Sequence, residues 1–212
     1  MMGVMLSAAG SFQWFKNKFA VEENRIEQEG GPNAYDNLTT QASQVKAGSE
    51  GCIFLPYLSG ERTPHPDPHA RGAFIGLSLR HGLGQMARSV LEGVSFGLND
   101  SLSLMRGLGI NPSNIILTGG GTESSLWKQM LSDVFQSNCA LVNAKEGAAY
   151  GAALLASVGI GVQKSVEGAS REWIRETEKI TPGNDVMTYD KFYSHYRELY
   201  PSLKNHFHSI ST

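Results

Sequence analysis

Three consecutive glycines, Gly119, Gly120 and Gly121, stand in the stretch NIILTGGGTESSLWKQMLSDVF, between a strand-like run and a helix-like one. A chain gives up side chains at such a turn, at an entropic cost, where another backbone or a ligand must come closer than a Cβ allows. The residues after the turn limit the chemistry. A P-loop needs G-x-x-x-x-G-K-[ST], and here the glycines lead into Thr122, Glu123, Ser124 and Ser125, with no lysine in reach of a phosphate. The dinucleotide fingerprint G-x-G-x-x-G/A fares little better. Ser124 occupies its third position, and the motif lies deep in the chain rather than in an opening βαβ unit. Glu123 falls in the first helical turn, where it suits the positive end of the helix dipole but would repel a phosphate. The glycines therefore suit an uncharged ring or a ribose, with Ser124 and Gln129 able to supply hydrogen bonds. The motif alone is equally compatible with glycines that merely turn the chain beneath a neighbouring helix.

Other reactive side chains are sparse. Asp67 and Glu146 invite roles as catalytic acids, but a lone carboxylate in a loop or at a helix start is more often a cap or a solvated charge, and neither is assigned a role. Cys52 and Cys139 stand far apart without CxxC or Cys/His spacing, so neither a disulfide framework nor a zinc site is indicated, which favours a reducing, cytoplasmic location. Eighteen Lys and Arg against 20 Asp and Glu give a net charge of -2 with no basic cluster. That balance offers no footing for nucleic acid or an anionic membrane and points to a small polar partner. No apolar run is long enough to span a bilayer, and the opening MMGVMLSAAGSFQWF lacks the basic region of a signal peptide, so it reads as structure.

The elements that must position the glycine turn alternate between strand and helix. Leu6 to Ala20 fits a helical face, and Pro32 precedes a second, more polar helix in NAYDNLTTQASQV. CIFLPYL and AFIGLSL read as strands on either side of the turn-rich loop SGERTPHPDPHARG. Leu83, Met86, Val90, Val94, Leu98, Leu102 and Met105 recur every three or four residues, predicting a long helix in which Gly93 and Gly97 permit close packing. Then come a strand over Ile115 to Thr118, the glycines, a helix from about Glu123, the strand CALVNA and the small-residue helix GAAYGAALLASVG. Past Gly161 a polar connector leads to a terminal helix with Tyr189, Phe192, Tyr196, Leu199 and Leu203 on one side. This alternation predicts an α/β domain with a largely parallel sheet covered on its faces.

The order of strand, GGG, helix with W-x-Q-M-L-S-D, strand and E-G-A-A-Y-G-A-A-L-L-A resembles the C-terminal half of the FGGY family of carbohydrate kinases. RGAFIGLSLRHGLGQMARSVLEGV, Arg71 to Val94, is similar to the family's second signature segment. FLPYLSGERTPHPDP and GVMLSAAGSFQWFKN are most similar to xylulose kinases within that family. The resemblance extends from Gly3 to about Phe207 and implies a ribonuclease H-like (actin/hexokinase-like ATPase) fold. In that fold a mixed, mostly parallel sheet carries helices on both faces. Carried over by position, it implies that Gly120, Gly121 and Ser124, with neighbouring Gly119, form the adenosine pocket, and that Gln13 and Ala9 approach the ribose and phosphates. Alternatives remain: Gln13 beside Trp14 suits an ordinary surface glutamine, and the alanine-rich helix from Ala148 to Ala156 suits core packing.

Phosphoryl transfer from ATP to a sugar hydroxyl needs a proton acceptor, donors around the β- and γ-phosphates, and Mg²⁺. The resemblance implies that residues 1–212 form a C-terminal nucleotide-binding domain lacking its first strands and its phosphate hairpin. The catalytic aspartate and most of the sugar site would belong to a separate N-terminal domain. The implied substrates are ATP and a ketopentose, D-xylulose first, or another pentulose or polyol. The loop from Leu58 to Arg71 would face a neighbouring domain or subunit, favouring a homodimer. Two readings compete with this: a non-catalytic nucleotide-binding or regulatory module of the same fold, and a dinucleotide-dependent oxidoreductase.

Overall fold

The chain, seen in a computed structural model, is described over residues 2–144 and 147–211. Its centre is the long helix α4, Leu83–Gly107, preceded by α1 (Ala8–Phe19), α2 (Val21–Gln28), α3 (Ala34–Ser43), β1 (Ile53–Leu55) and β2 (Ala73–Ile75). After it come β3 (Ile115–Ile116), a 3-10 turn over Gly120–Glu123, α5 (Ser125–Phe135), β4 (Cys139–Val142), α6 (Gly147–Gly159), α7 (Val166–Trp173), β5 (Glu176–Ile180) and α8 (Val186–Ile210). Helix α4 corrects the expectation of a single apolar face: it is buried on every side from Ala87 to Gly97, with Val90, Val94 and Leu102 of the predicted face buried and Leu83, Met86, Leu98 and Met105 half-buried, because α1, α3, β1, α5 and α8 all pack around it.

Gly93 has the close-packing role expected of it. A Cβ there would lie 2.2 Å from the backbone oxygen of Phe54, so β1 rests directly on α4 where only hydrogen fits. At Gly97 a Cβ would meet the Met5 side chain at 2.9 Å. Between these contacts and the helix start, α4 carries a buried ion pair. Arg88 Nε lies 2.9 Å from Glu92 Oε1, and Glu92 also accepts from Gly48 N–H and Ser49 Oγ. Arg88 donates to Val45 O and to Tyr189 Oη. The network ties α4 to the segment after α3 and to α8, and each charge finds the partners that burial demands.

The sheet corrects the expectation of largely parallel pairing. β3 and β4 are parallel, with Ile115 opposite Cys139, but β4 and β5 are antiparallel, with Cys139 opposite Ile180. β1 and β2 form a separate antiparallel pair with Phe54 opposite Phe74. The polar sequence ETEKI of β5 concealed an edge strand, since four of its five residues are exposed and no apolar alternation marks it. The short helices α2 and α7 likewise arise where the sequence suggested only connection. Helix α6 departs from the expected core role. Among the described residues it packs chiefly on α7 and buries only Leu154 and Ser157, although its sequence is apolar on every side.

Loop 56–72 is held by the C-terminal helix. Asp67 is buried and accepts from Tyr200 Oη at 2.7 Å, from His208 Nε2 at 2.8 Å and from its neighbour His69 N–H at 2.8 Å. The His65 ring stacks on Tyr200 with centroids 3.8 Å apart. Burial pushes the Asp67 carboxyl up, but the hydrogen bonds from Tyr200 and His208 outweigh it and hold the group down at about 2. Asp67 thus anchors the loop to α8.

Candidate functional site

Five of the six residues expected around a nucleotide meet in one cleft of about 590 Å³. One wall is α1. Ala9 and Gln13, four residues apart, share a helix face, and with Gly10 they point away from the buried side formed by Ser11, Phe12 and Phe15. The opposite wall is the glycine turn, with Gly120, Gly121, Glu123 and Ser124. The third wall is the start of α3, where Asn33 caps the helix by accepting from Tyr35 N–H at 2.8 Å and Tyr35, Asp36 and Thr39 face the cavity. Leu38 and Ala42, on the other side of α3, are fully buried and fix its orientation.

The floor is aromatic. The Phe12 ring lies 5.8 Å from that of Tyr35 and 6.1 Å from that of Trp127, and all three rings line the cleft. Trp127 is held in place by its indole N–H, which donates to Ser95 Oγ on α4 at 3.1 Å. Flat rings arranged in this way favour a planar ligand in offset or edge contact.

The three glycines have three separate reasons to be glycine. Gly119 adopts φ +93 and ψ 174, a conformation open essentially to glycine alone. A Cβ on Gly120 would meet nothing within 4 Å, because this residue borders open space. A Cβ on Gly121 would lie 2.8 Å from Cζ3 of Trp127, so this glycine lets the indole pack beneath the turn. The two readings of the motif thus divide between residues: Gly121 serves packing and Gly120 leaves room. Gly119 opens instead onto a second cleft of about 480 Å³, on the far side of the turn, where Lys128 Nζ lies 2.6 Å from Glu178 Oε2.

Ser124 lines the cleft and also caps α5, accepting from Trp127 N–H at 3.3 Å. Gln129 does not take part, and its expected hydrogen bond to a ligand is corrected. Its amide donates to Asp133 Oδ1 and to Thr181 O, which direct it toward the connection between β5 and α8. Glu146 lies outside the described residues. Asp67, tied to α8, is not among the residues that line the cleft. Nothing in the sequence singled out Asn33, Tyr35, Asp36 and Thr39, because they read as the start of an ordinary polar helix.

Among the described residues, carboxylates but no lysine, arginine or histidine line the cleft, with Asp36 at α3 and Glu123, itself engaged, at the glycine turn. A planar base and its sugar would meet acceptors, aromatic faces and a gap at Gly120 there. Among the described residues no group of three or more His, Cys, Asp or Glu could hold a metal ion, and no helix is long and apolar enough to cross a membrane.

A parallel β3–β4 pair, a glycine turn opening into a cleft, and flanking helices define this molecule as an α/β domain of the actin-like ATPase fold. It superposes on the xylulose kinase of Rhodospirillum rubrum with a TM-score of 0.82 at 31% identity, over 97% of this chain and 40% of that one. The chain belongs to the FGGY family of carbohydrate kinases, whose C-terminal domain matches residues 1–160. It is 36% identical over 204 residues to the xylulose kinase of Staphylococcus epidermidis, covering 96% of this chain and 39% of that protein. It is 34% identical over 194 residues to the gluconokinase of Bacillus subtilis, covering 91% and 36%. The chain therefore spans about two fifths of the length of the curated relatives it matches.

Proposed function

We propose that this chain is the nucleotide-binding C-terminal region of a sugar kinase that transfers the γ-phosphoryl group of ATP to D-xylulose, giving ADP and D-xylulose 5-phosphate. The reading rests on one observation: Ala9, Gln13, Gly120, Gly121 and Ser124, far apart in sequence, line a single cleft with an aromatic floor. Phe12, Tyr35 and Trp127 receive the adenine, while Gln13 and the backbone at Gly120 orient the ribose. ATP supplies the transferable phosphoryl group when bound. This chain's part is to hold the adenosine end so that the phosphates extend out of the cleft. No Mg²⁺ ligand and no general base is assigned to the described residues, and both belong in this proposal to a second, N-terminal domain across the cleft. Exposed Leu77 and Leu79 beyond β2 offer apolar area for a second copy, in keeping with a homodimer. The gluconokinase relative favours one second reading, in which the same adenosine cleft serves a kinase for another sugar.

The test is an ADP-release assay with the 212-residue chain, xylulose, ATP and Mg²⁺, beside titrations with ATP, ADP and adenosine. The expected result is no sugar-dependent turnover, together with similar affinities for ATP, ADP and adenosine, because the contacts end at the ribose. Positioning and charge stabilisation supply most of the rate in this reaction class, so one wall of the site cannot replace the other. Sugar-dependent turnover by the chain alone would show that the catalytic groups lie within it.

A further inference from the structure

We propose that Asp36 is a specificity residue of the cleft, selecting a base whose edge presents a hydrogen-bond donor, the exocyclic amino group of a 6-aminopurine. The inference rests on the reading of the cleft as an adenosine site. Most polar side chains in the lining are already engaged. Asn33 Oδ1 accepts from Tyr35 N–H, Ser124 Oγ accepts from Trp127 N–H, and Thr39 Oγ1 donates to Tyr35 O at 2.9 Å and Asp36 O at 3.1 Å. Glu123 is also engaged. The side chains of Gln13 and Asp36 have no hydrogen-bond or ion-pair partner among the described residues. Gln13 offers both a donor and an acceptor, so it tolerates either kind of ligand edge. An ionised carboxylate offers acceptors only: it rewards a donor and repels a lone pair placed in the same spot.

Position decides what the carboxylate reads. Asp36 adjoins Tyr35, whose ring belongs to the aromatic floor, and a planar base is the part of a nucleoside that such a floor receives. The base edge then falls to α3, whereas the sugar lies toward α1 and its glutamine. A 6-oxopurine would turn a carbonyl lone pair toward Asp36, and a 6-aminopurine would turn an N–H toward it. The cleft should therefore favour adenosine over inosine, in which O6 replaces the amino group and the donor on that edge moves to N1–H.

The experiment titrates the 212-residue chain with adenosine, inosine and 2′-deoxyadenosine, followed by saturation-transfer NMR and calorimetry. It is repeated on Asp36→Asn, and on Gly120→Val as a control for the cleft itself; circular dichroism checks each fold. The wild-type chain should bind adenosine about tenfold or more tightly than inosine, as a hydrogen bond to a charged group implies. Asp36→Asn should bring the two within about twofold while 2′-deoxyadenosine keeps its rank relative to adenosine, because an amide can turn either its donor or its acceptor toward the base. Binding that Gly120→Val weakens but Asp36→Asn leaves equally selective would overturn the role of Asp36 and leave the adenosine site standing. A preference for adenosine over 2′-deoxyadenosine that Asp36→Asn removes would overturn it too, by moving the carboxylate to the ribose. Absence of binding by all three nucleosides would overturn both this inference and the reading beneath it.

Discussion

Replacing Gly120 with valine separates a glycine kept for a ligand from a glycine kept for the fold. A Cβ at this position meets no atom within 4 Å, and no left-handed backbone angle is required of it, so the folded chain has room for the new side chain. The isopropyl group instead occupies the cleft where the ligand must approach the turn. Extra methyl groups pressed against a close-packed surface cost about 1–3 kcal/mol, and that converts to roughly 5- to 150-fold weaker binding. Stability should change little, because losing a glycine also restricts the unfolded chain, by about 0.4–1 kcal/mol in favour of the variant. At about 2–4 °C per kcal/mol for a chain of this size, Tm should move by no more than about 4 °C. Gly121→Ala is the contrasting variant: its Cβ would come within 2.8 Å of the Trp127 ring, so it should lower Tm as well as affinity. Calorimetric titration with adenosine and thermal scans of both variants make the comparison. Unchanged adenosine affinity in a folded Gly120→Val chain would refute the reasoning, and so would loss of binding accompanied by loss of fold.

The buried charges yield two more expected outcomes. Glu92→Ala should destabilise the chain by about 3–5 kcal/mol in urea unfolding, because it leaves Arg88 buried beside Val45 O and Tyr189 with no counter-charge; a loss below about 1 kcal/mol would show that the pair is hydrated. Asp67 has its folded pKa held at about 2, below the ordinary value of 3.8 for an unfolded aspartate. Its contribution to stability is therefore fully present above about pH 4 and lost as pH falls from there toward 2. Asp67→Asn should remove that part of the acid transition and raise amide exchange in loop 56–72, and an unchanged acid limb would detach Asp67 from loop anchoring.

How far the sequence carried the structure depended on whether burial left a periodic trace. Helix α4 carries apolar residues at helical spacing along its length, so its extent was legible to within a few residues, but its burial on every side from Ala87 to Gly97, polar residues included, was not. Strand β5 is exposed on four of its five residues, and α2 is a short charged helix with Glu23 alone buried, so neither left a hydrophobic pattern to read. In the cleft, the glycine turn announced itself because glycine is costly, and α1 followed from its likeness to the family. The wall from α3 did not, since Tyr35 and Asp36 reach the cleft only after Leu38 and Ala42 have docked that helix into the core. Gln129 misled for a related reason. It stands one turn beyond Ser125 on α5, but helix rotation carries its amide to Asp133 and Thr181 instead of to the glycines.

The central claim is that adenosine binds between α1, α3 and the glycine turn, and the indole N–H of Trp127 is its most direct reporter. The chain has three tryptophans, Trp14, Trp127 and Trp173, so three indole cross-peaks are expected in a ¹H–¹⁵N spectrum, and a Trp127→Phe variant assigns the relevant one. Titration with adenosine should shift the Trp127 cross-peak saturably, because the ring lines the cleft while its N–H is fixed on Ser95. The Trp173 peak should stay in place. A Trp127 cross-peak that stays fixed at saturating adenosine, or shifts found only at Trp14 and Trp173, would contradict the assignment of this cleft.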